Sequence, residues 1–196
     1  MTKQTALLII DMQNDYFERG AMELAGAGEA LENAQALLQA FRAKGLPVVH
    51  VQHIALQEEA DFFRPDTPGA AIHPPLTPLP GEKVMVKNFP NSFRETRLLE
   101  VLRENQVTNL VICGMMTDVC VAATVRASMD LGFKNTLIGD AVATRDRELN
   151  GAVVTAEEIN RAFLAGLAAL GGLYATVTSG AQFLRHLQDE QVPGIR

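Results

Sequence analysis

Short apolar runs closed by turn residues alternate with stretches of helical spacing along this chain, and that alternation confines it to few folds. Ala6–Ile10 stops at Asp11, and Val48–Gln52 follows the break Gly45–Leu46–Pro47. Val84–Val86 follows Pro80 and Gly81, Leu110–Cys113 ends at Gly114, and Thr136–Ile138 and Tyr174–Val177 complete six expected strands. Several are apolar without strict alternation, as in strands that helices cover on both faces. Leu31, Ala34, Leu38 and Phe41 recur at three- and four-residue steps before Gly45, which suits a helix stop. Arg94–Glu104, Val119–Leu131, Ala156–Leu170 and Gln182–Leu187 read as further helices. The expected fold class is α/β, a doubly wound six-stranded parallel sheet with helices on both faces.

Ile54–Glu82 resists this scheme, because Pro65, Pro68, Pro74, Pro75, Pro78 and Pro80 exclude regular structure. Phe62, Phe63 and Ile72 give the segment apolar anchors, so an ordered lid or an interface loop is expected. A chain of 196 residues without repeats fits one domain over 1–196. Its 17 basic and 23 acidic side chains leave a formal charge of −6. That balance repels phosphate backbones and anionic lipid, so nucleic acid and membrane are poor partners and a small-molecule substrate is the better expectation. The uncharged run Ala162–Ala175 is shorter than the roughly 20 apolar residues that cross a bilayer. Ala6–Ile10 is too short for a signal-peptide core, and a cytoplasmic location is expected. Two cysteines, Cys113 and Cys120, make neither a disulfide framework nor a zinc cluster.

In open α/β sheets the site lies beyond the carboxyl ends of the strands. Asp11 ends the first apolar run, Lys87 ends the third, and Cys120 follows the fourth in GMMTDVC. A carboxylate, an ammonium and a thiol are thus brought toward one crevice. Each also has a plain structural reading: a turn aspartate, a solvated lysine, a small core cysteine. Their coincidence favours chemistry. A cysteine at a helix start has its thiolate stabilised by the helix dipole and by a nearby cation; Cys113, inside a strand, has neither and should be inert packing. His50 and His53 are odd-spaced and face opposite sides of a straight strand, which argues against a metal cage built from that pair. His53, nearest the strand end, is a candidate pocket residue. GAGEAL at Gly26–Leu31 lacks the third glycine of a dinucleotide fingerprint, and no phosphate loop, zinc-protease or serine-elbow motif is present.

ALLIIDMQNDY, VMVKNFPNSF and VICGMMTDVCVAATVRASMDLGF resemble the isochorismatase-like cysteine hydrolases, a family that includes nicotinamidases, N-carbamoylsarcosine amidases and streptothricin hydrolases. The resemblance covers almost the whole chain in the family's order. It implies strand order 3-2-1-4-5-6 and a catalytic triad of Asp11, Lys87 and Cys120. It further implies a cis peptide at Met115–Met116 and an oxyanion hole from the Met116 and Cys120 amides. Gln13 matches the glutamine of the family's DxQ start and is expected to brace the aspartate or the loop. Nicotinamidases carry a metal-binding Asp-x-His after the second strand; here that stretch reads His53–Ile54–Ala55, so no metal and no cofactor are expected.

The expected activity is cysteine-dependent hydrolysis of a C–N bond in a small amide or carbamoyl compound. Asp11 is expected to serve as general base and acid, while Lys87 lowers the thiol pKa. Gln13, Tyr16, Phe17, His53, Phe89 and Phe93 are candidate pocket residues, though aromatics are also ordinary core. Two alternatives stay open: vinyl-ether hydrolysis by Asp11 and Lys87 without the cysteine, and a non-catalytic binding protein on the same fold. A homodimer or larger homo-oligomer is expected, with Phe62, Phe63 and Ile72 part of the contact.

Overall fold

A computed structural model of the chain describes residues 4–189; the ends of the expected 1–196 domain lie outside the described residues. Among the described residues eight strands occur, in chain order β1 (Thr5–Ile10), β2 (Val48–His53), β3 (Lys83–Lys87), β4 (Asn109–Met115), β5 (Lys134–Ala143), β6 (Arg147–Leu149), β7 (Ala152–Val154) and β8 (Thr176–Thr178). Six of them form one parallel sheet in the order β3-β2-β1-β4-β5-β8. This is the doubly wound topology expected. The sixth sheet strand carries the number eight because β6 and β7 intervene as a separate antiparallel ribbon. The ribbon was not anticipated: each strand is three residues long, too short for an alternation to register.

The helices are α1 (Ala27–Ala43), α2 (Leu98–Glu104), α3 (Ala122–Asp130), α4 (Ala156–Leu167), α5 (Ala169–Gly172) and α6 (Gly180–Asp189). The expected helix Val119–Leu131 begins as a π-helical turn, Thr117–Val121, and becomes α-helical only at Ala122. The expected helix Ala156–Leu170 stops at Leu167; Leu170 and Gly171 take left-handed backbone inside the one-turn α5. Thr155 caps α4 in a capping box with Glu158.

Strand β1 shows why the central strands read as continuous apolar runs. Leu7 and Ile9 face a core shared with Leu37, Leu38 and Phe41 of α1 and Phe183 of α6. Ala6, Leu8 and Ile10 face the opposite core, with Leu98 and Leu102 of α2 and Val125 of α3. Both faces are covered, so every β1 residue is buried. At the edge, β3 leaves Val84 and Val86 exposed.

The proline-rich segment is ordered against its own chain. Asp15, after β1, accepts from the Phe63 amide at 2.7 Å, and Asn14 donates to the Pro68 carbonyl at 2.7 Å. Phe63 is fully buried against Tyr16, with ring centroids 4.5 Å apart, and Phe62 and Ile72 pack on the same core. These residues were expected to be left for a subunit contact. Phe63 is instead consumed within the chain, while Phe62 and Ile72 stay half-buried; QNDY supplies the polar partners that let the loop fold back.

Candidate active site

The site gathers at the carboxyl ends of four adjacent strands, β3, β2, β1 and β4, where the winding direction reverses between β1 and β4. Lys87 is the last residue of β3 and His53 the last of β2, and the two are register partners on neighbouring parallel strands. Asp11 follows β1 in a left-handed conformation, φ 52°. Gly114 lets β4 approach β1: a Cβ there would lie 2.1 Å from the Ile10 carbonyl oxygen. Beyond it come the cis Met115–Met116 peptide and the turn that carries Cys120.

Lys87 Nζ is the hub. It lies 2.7 Å from Asp11 Oδ2, donates to Cys120 Sγ at 3.3 Å, and lies 2.9 Å from His53 Nδ1. Asp11, Lys87 and Cys120 are all buried, with Asp11 0% exposed. The Asp11–Lys87 contact is an ion pair by distance although its angles fall outside hydrogen-bond geometry. Donor atoms of Asp11, His53 and Cys120 lie within 4.8 Å of one another, a spacing that could hold a metal. The Lys87 ammonium already stands at bonding distance from all three.

Burial dominates the electrostatics. It raises the Asp11 carboxyl despite the opposing pull of Lys87. It also raises the Cys120 thiol, helped by the Asp11 charge and opposed by Lys87. Lys87 lowers this thiol as expected, but burial raises it more. Lys87 is penalised by burial yet held above its usual value by Asp11 and Cys120. Cys113, wholly buried in β4, is pushed up to about 12 by burial alone.

The candidate pocket residues divide. His53 touches Lys87. Gln13 braces the loop rather than Asp11, bonding the His53 amide and carbonyl and the Ala70 carbonyl. Tyr16 is 1% exposed, and burial first, then the nearby Asp11 carboxylate, raises its phenol. Three aromatics go elsewhere. Phe17 stacks on His73 at 3.9 Å and walls an open groove of about 670 Å³ with Glu23 and Leu31. Phe89 lies under the Arg94 guanidinium, and Phe93 stacks on Phe133 in the α2–α3 core. Of the three, Phe93 is the one taken up by an aromatic contact in that core.

Two neighbours of the site escaped the sequence reading. Asp118 accepts from Arg147 Nη2 at 3.0 Å and from the Thr144 hydroxyl, and Arg147 also contacts Met116 Sδ at 3.3 Å. Asp118 sits inside GMMTDVC and could have been singled out; Arg147 could not, since only the ribbon brings it there.

The fold and this cluster define an α/β protein with a buried carboxylate, ammonium and thiol gathered at the switch point of a parallel sheet. The isochorismatase domain matches residues 5–163, and the chain belongs to the isochorismatase family of hydrolases. The isochorismatase family protein YddQ of Bacillus subtilis is 46% identical over 92% of this chain and 99% of its own length. A streptothricin hydrolase of Streptomyces noursei is 38% identical over 72% of this chain and 50% of its own. A protein of Arabidopsis thaliana described as a probable inactive nicotinamidase is 29% identical over 76% of this chain and 86% of its own. Among solved structures, an isochorismatase from Pseudomonas putida superposes with a TM-score of 0.84 at 37% identity, covering 92% of this chain and 90% of that one. A cysteine hydrolase from Pseudomonas syringae pv. phaseolicola superposes with a TM-score of 0.88 at 26% identity, covering 95% and 93%. Among the described residues no helix is long and apolar enough to cross a membrane.

Proposed function

We propose that the chain hydrolyses the C–N bond of a small amide or carbamoyl compound through a Cys120 acyl-enzyme. The observation that carries this reading is Lys87 Nζ at 2.7 Å from Asp11 and 3.3 Å from Cys120 in a buried site. Asp11, raised by burial, is a stronger base than an exposed carboxylate. It takes the thiol proton as the sulfur attacks the carbonyl carbon, and the Lys87 ammonium holds the charge that would otherwise be stranded. The Met116 and Cys120 amides receive the oxyanion. Asp11 returns the proton to the leaving nitrogen as the C–N bond breaks. It then draws a proton from the water that releases the acid and restores the thiol. His53, held by Gln13, stands against the Lys87 ammonium beside the nucleophile.

Similarity to a streptothricin hydrolase and to a cysteine hydrolase favours this reading over vinyl-ether chemistry. No divalent metal enters it, because the ammonium fills the place a metal would take. A cytoplasmic location and a homo-oligomer belong to the same reading; sedimentation at micromolar concentration tests the second, and a clean monomer excludes it. The decisive experiment is a panel of small amides scored by ammonia or amine release, with Cys120→Ala alongside. Release that Cys120→Ala abolishes supports the proposal. Isochorismate cleavage that survives Cys120→Ala establishes vinyl-ether hydrolysis instead, and silence on every substrate favours a binding protein.

A further inference from the structure

We infer that His53 is a positioning residue of this site: its imidazole accepts one N–H of Lys87 and so holds the ammonium against Cys120. The inference rests on the thiol chemistry proposed above.

A lysine ammonium has three N–H donors and accepts nothing. In a buried site each donor without a partner weakens the charged form. Lys87 Nζ has three partners: the Asp11 carboxylate as an ion pair at 2.7 Å, and His53 Nδ1 at 2.9 Å and Cys120 Sγ at 3.3 Å as acceptors. The thiol sulfur is the weakest acceptor of the three, so the other two decide where Nζ sits. Asp11 alone would leave the ammonium free to turn about that contact. His53 supplies the second fixed point.

The histidine is itself fixed. It is the register partner of Lys87 across β2 and β3, and its amide and carbonyl are both engaged by the Gln13 carboxamide. Accepting at Nδ1 requires the ring proton on Nε2, so the lysine sets the tautomer. Burial first, and then the Lys87 charge, hold the imidazole down to about 4, so it remains an acceptor throughout the neutral range. Its ring packs 6.0 Å from Phe63, which ties it to the ordered loop.

The test needs no substrate. Iodoacetamide alkylation of Cys120, followed across pH by mass mapping, reports the apparent pKa of the thiol. His53→Ala removes the acceptor, whereas His53→Asn keeps an oxygen close to the Nδ1 position. His53→Ala is expected to raise the apparent thiol pKa by about one unit and slow alkylation near neutral pH about tenfold. His53→Asn should stay within about threefold of wild type. Should His53→Ala not fold, His53→Leu fills the space without an acceptor and gives the same expectation. A purely structural histidine would lower the melting temperature in these variants and leave the pH profile at wild type, which overturns the inference. If wild-type Cys120 resists alkylation throughout, the cysteine chemistry fails and the inference falls with it. A reactive wild type with an unshifted His53→Ala profile overturns this inference alone.

Discussion

The Gln13 carboxamide donates to the His53 carbonyl at 2.8 Å and accepts from the His53 amide at 2.7 Å, a two-bond clasp between the segment after β1 and the end of β2. The same nitrogen donates to the Ala70 carbonyl at 2.7 Å, so one buried side chain joins two strand ends to the proline-rich loop.

Gln13→Ala strands these backbone groups, and a buried group left unsatisfied costs about 1–3 kcal/mol. The urea midpoint should fall, and proteolytic nicking between residues 54 and 82 should accelerate. An unchanged midpoint with unchanged proteolysis would show that water takes over the clasp.

Cys120 should be alkylated before Cys113. Burial raises both thiols, but Cys120 has Lys87 at 3.3 Å and keeps 5% exposure, whereas Cys113 lies fully buried in the core beneath α1. Brief iodoacetamide treatment and mass mapping decide it, and earlier labelling of Cys113 would remove Cys120 from the role of nucleophile.

Asp11→Asn should separate three quantities. From sequence alone the change reads as the loss of a cap, about 1 kcal/mol. Burial beside Lys87 alters that, because removing one partner of a buried ion pair costs about 3–5 kcal/mol. The melting midpoint should therefore fall. Alkylation of Cys120 should quicken, since Asp11 is one of the influences raising its thiol. Turnover should drop by ~10²–10⁴ with the base gone. Wild-type turnover in the variant would eliminate Asp11 as the base.

Glu82 governs an acid limb of stability. Burial alone would raise its carboxyl, but bonds from Arg42, the Leu79 amide and His50 hold it down to about 2. The unfolded carboxyl titrates near 4.5. Above that value both states are ionised and the contribution is fully present. As pH falls from about 4.5 to about 2, the unfolded chain takes up a proton that the native chain refuses, and the contribution disappears. Glu82→Gln should lower stability at neutral pH and flatten its decline across that window in pH-dependent urea titrations. A parallel decline in both proteins would refute the assignment.

The positions of Asp11 and Lys87 were legible because strand ends are. Asp11 and Lys87 each close an apolar run, and doubly wound sheets present such residues on one rim. The aromatics were less legible. Phe93 and Tyr16 look alike as apolar residues near a motif, yet Phe93 stacks on Phe133 while Tyr16 packs by Phe63 within reach of the site's charges. Their neighbours come from segments distant in the chain, and periodicity carries no information about those.

By itself, then, the sequence determined the α/β class, the six sheet strands and the identity of the clustered carboxylate, ammonium and thiol. These depend on local patterns: apolar runs, helical spacing and residues at strand ends. The tertiary structure alone decided how charge rests among them. Burial raises Asp11 and Cys120, His53 joins Lys87 across a parallel register, and the loop's phenylalanines fold inward on Tyr16. Desolvation and cross-strand contact depend on which distant residues exclude water from a group, and that is settled only when the chain has folded around it.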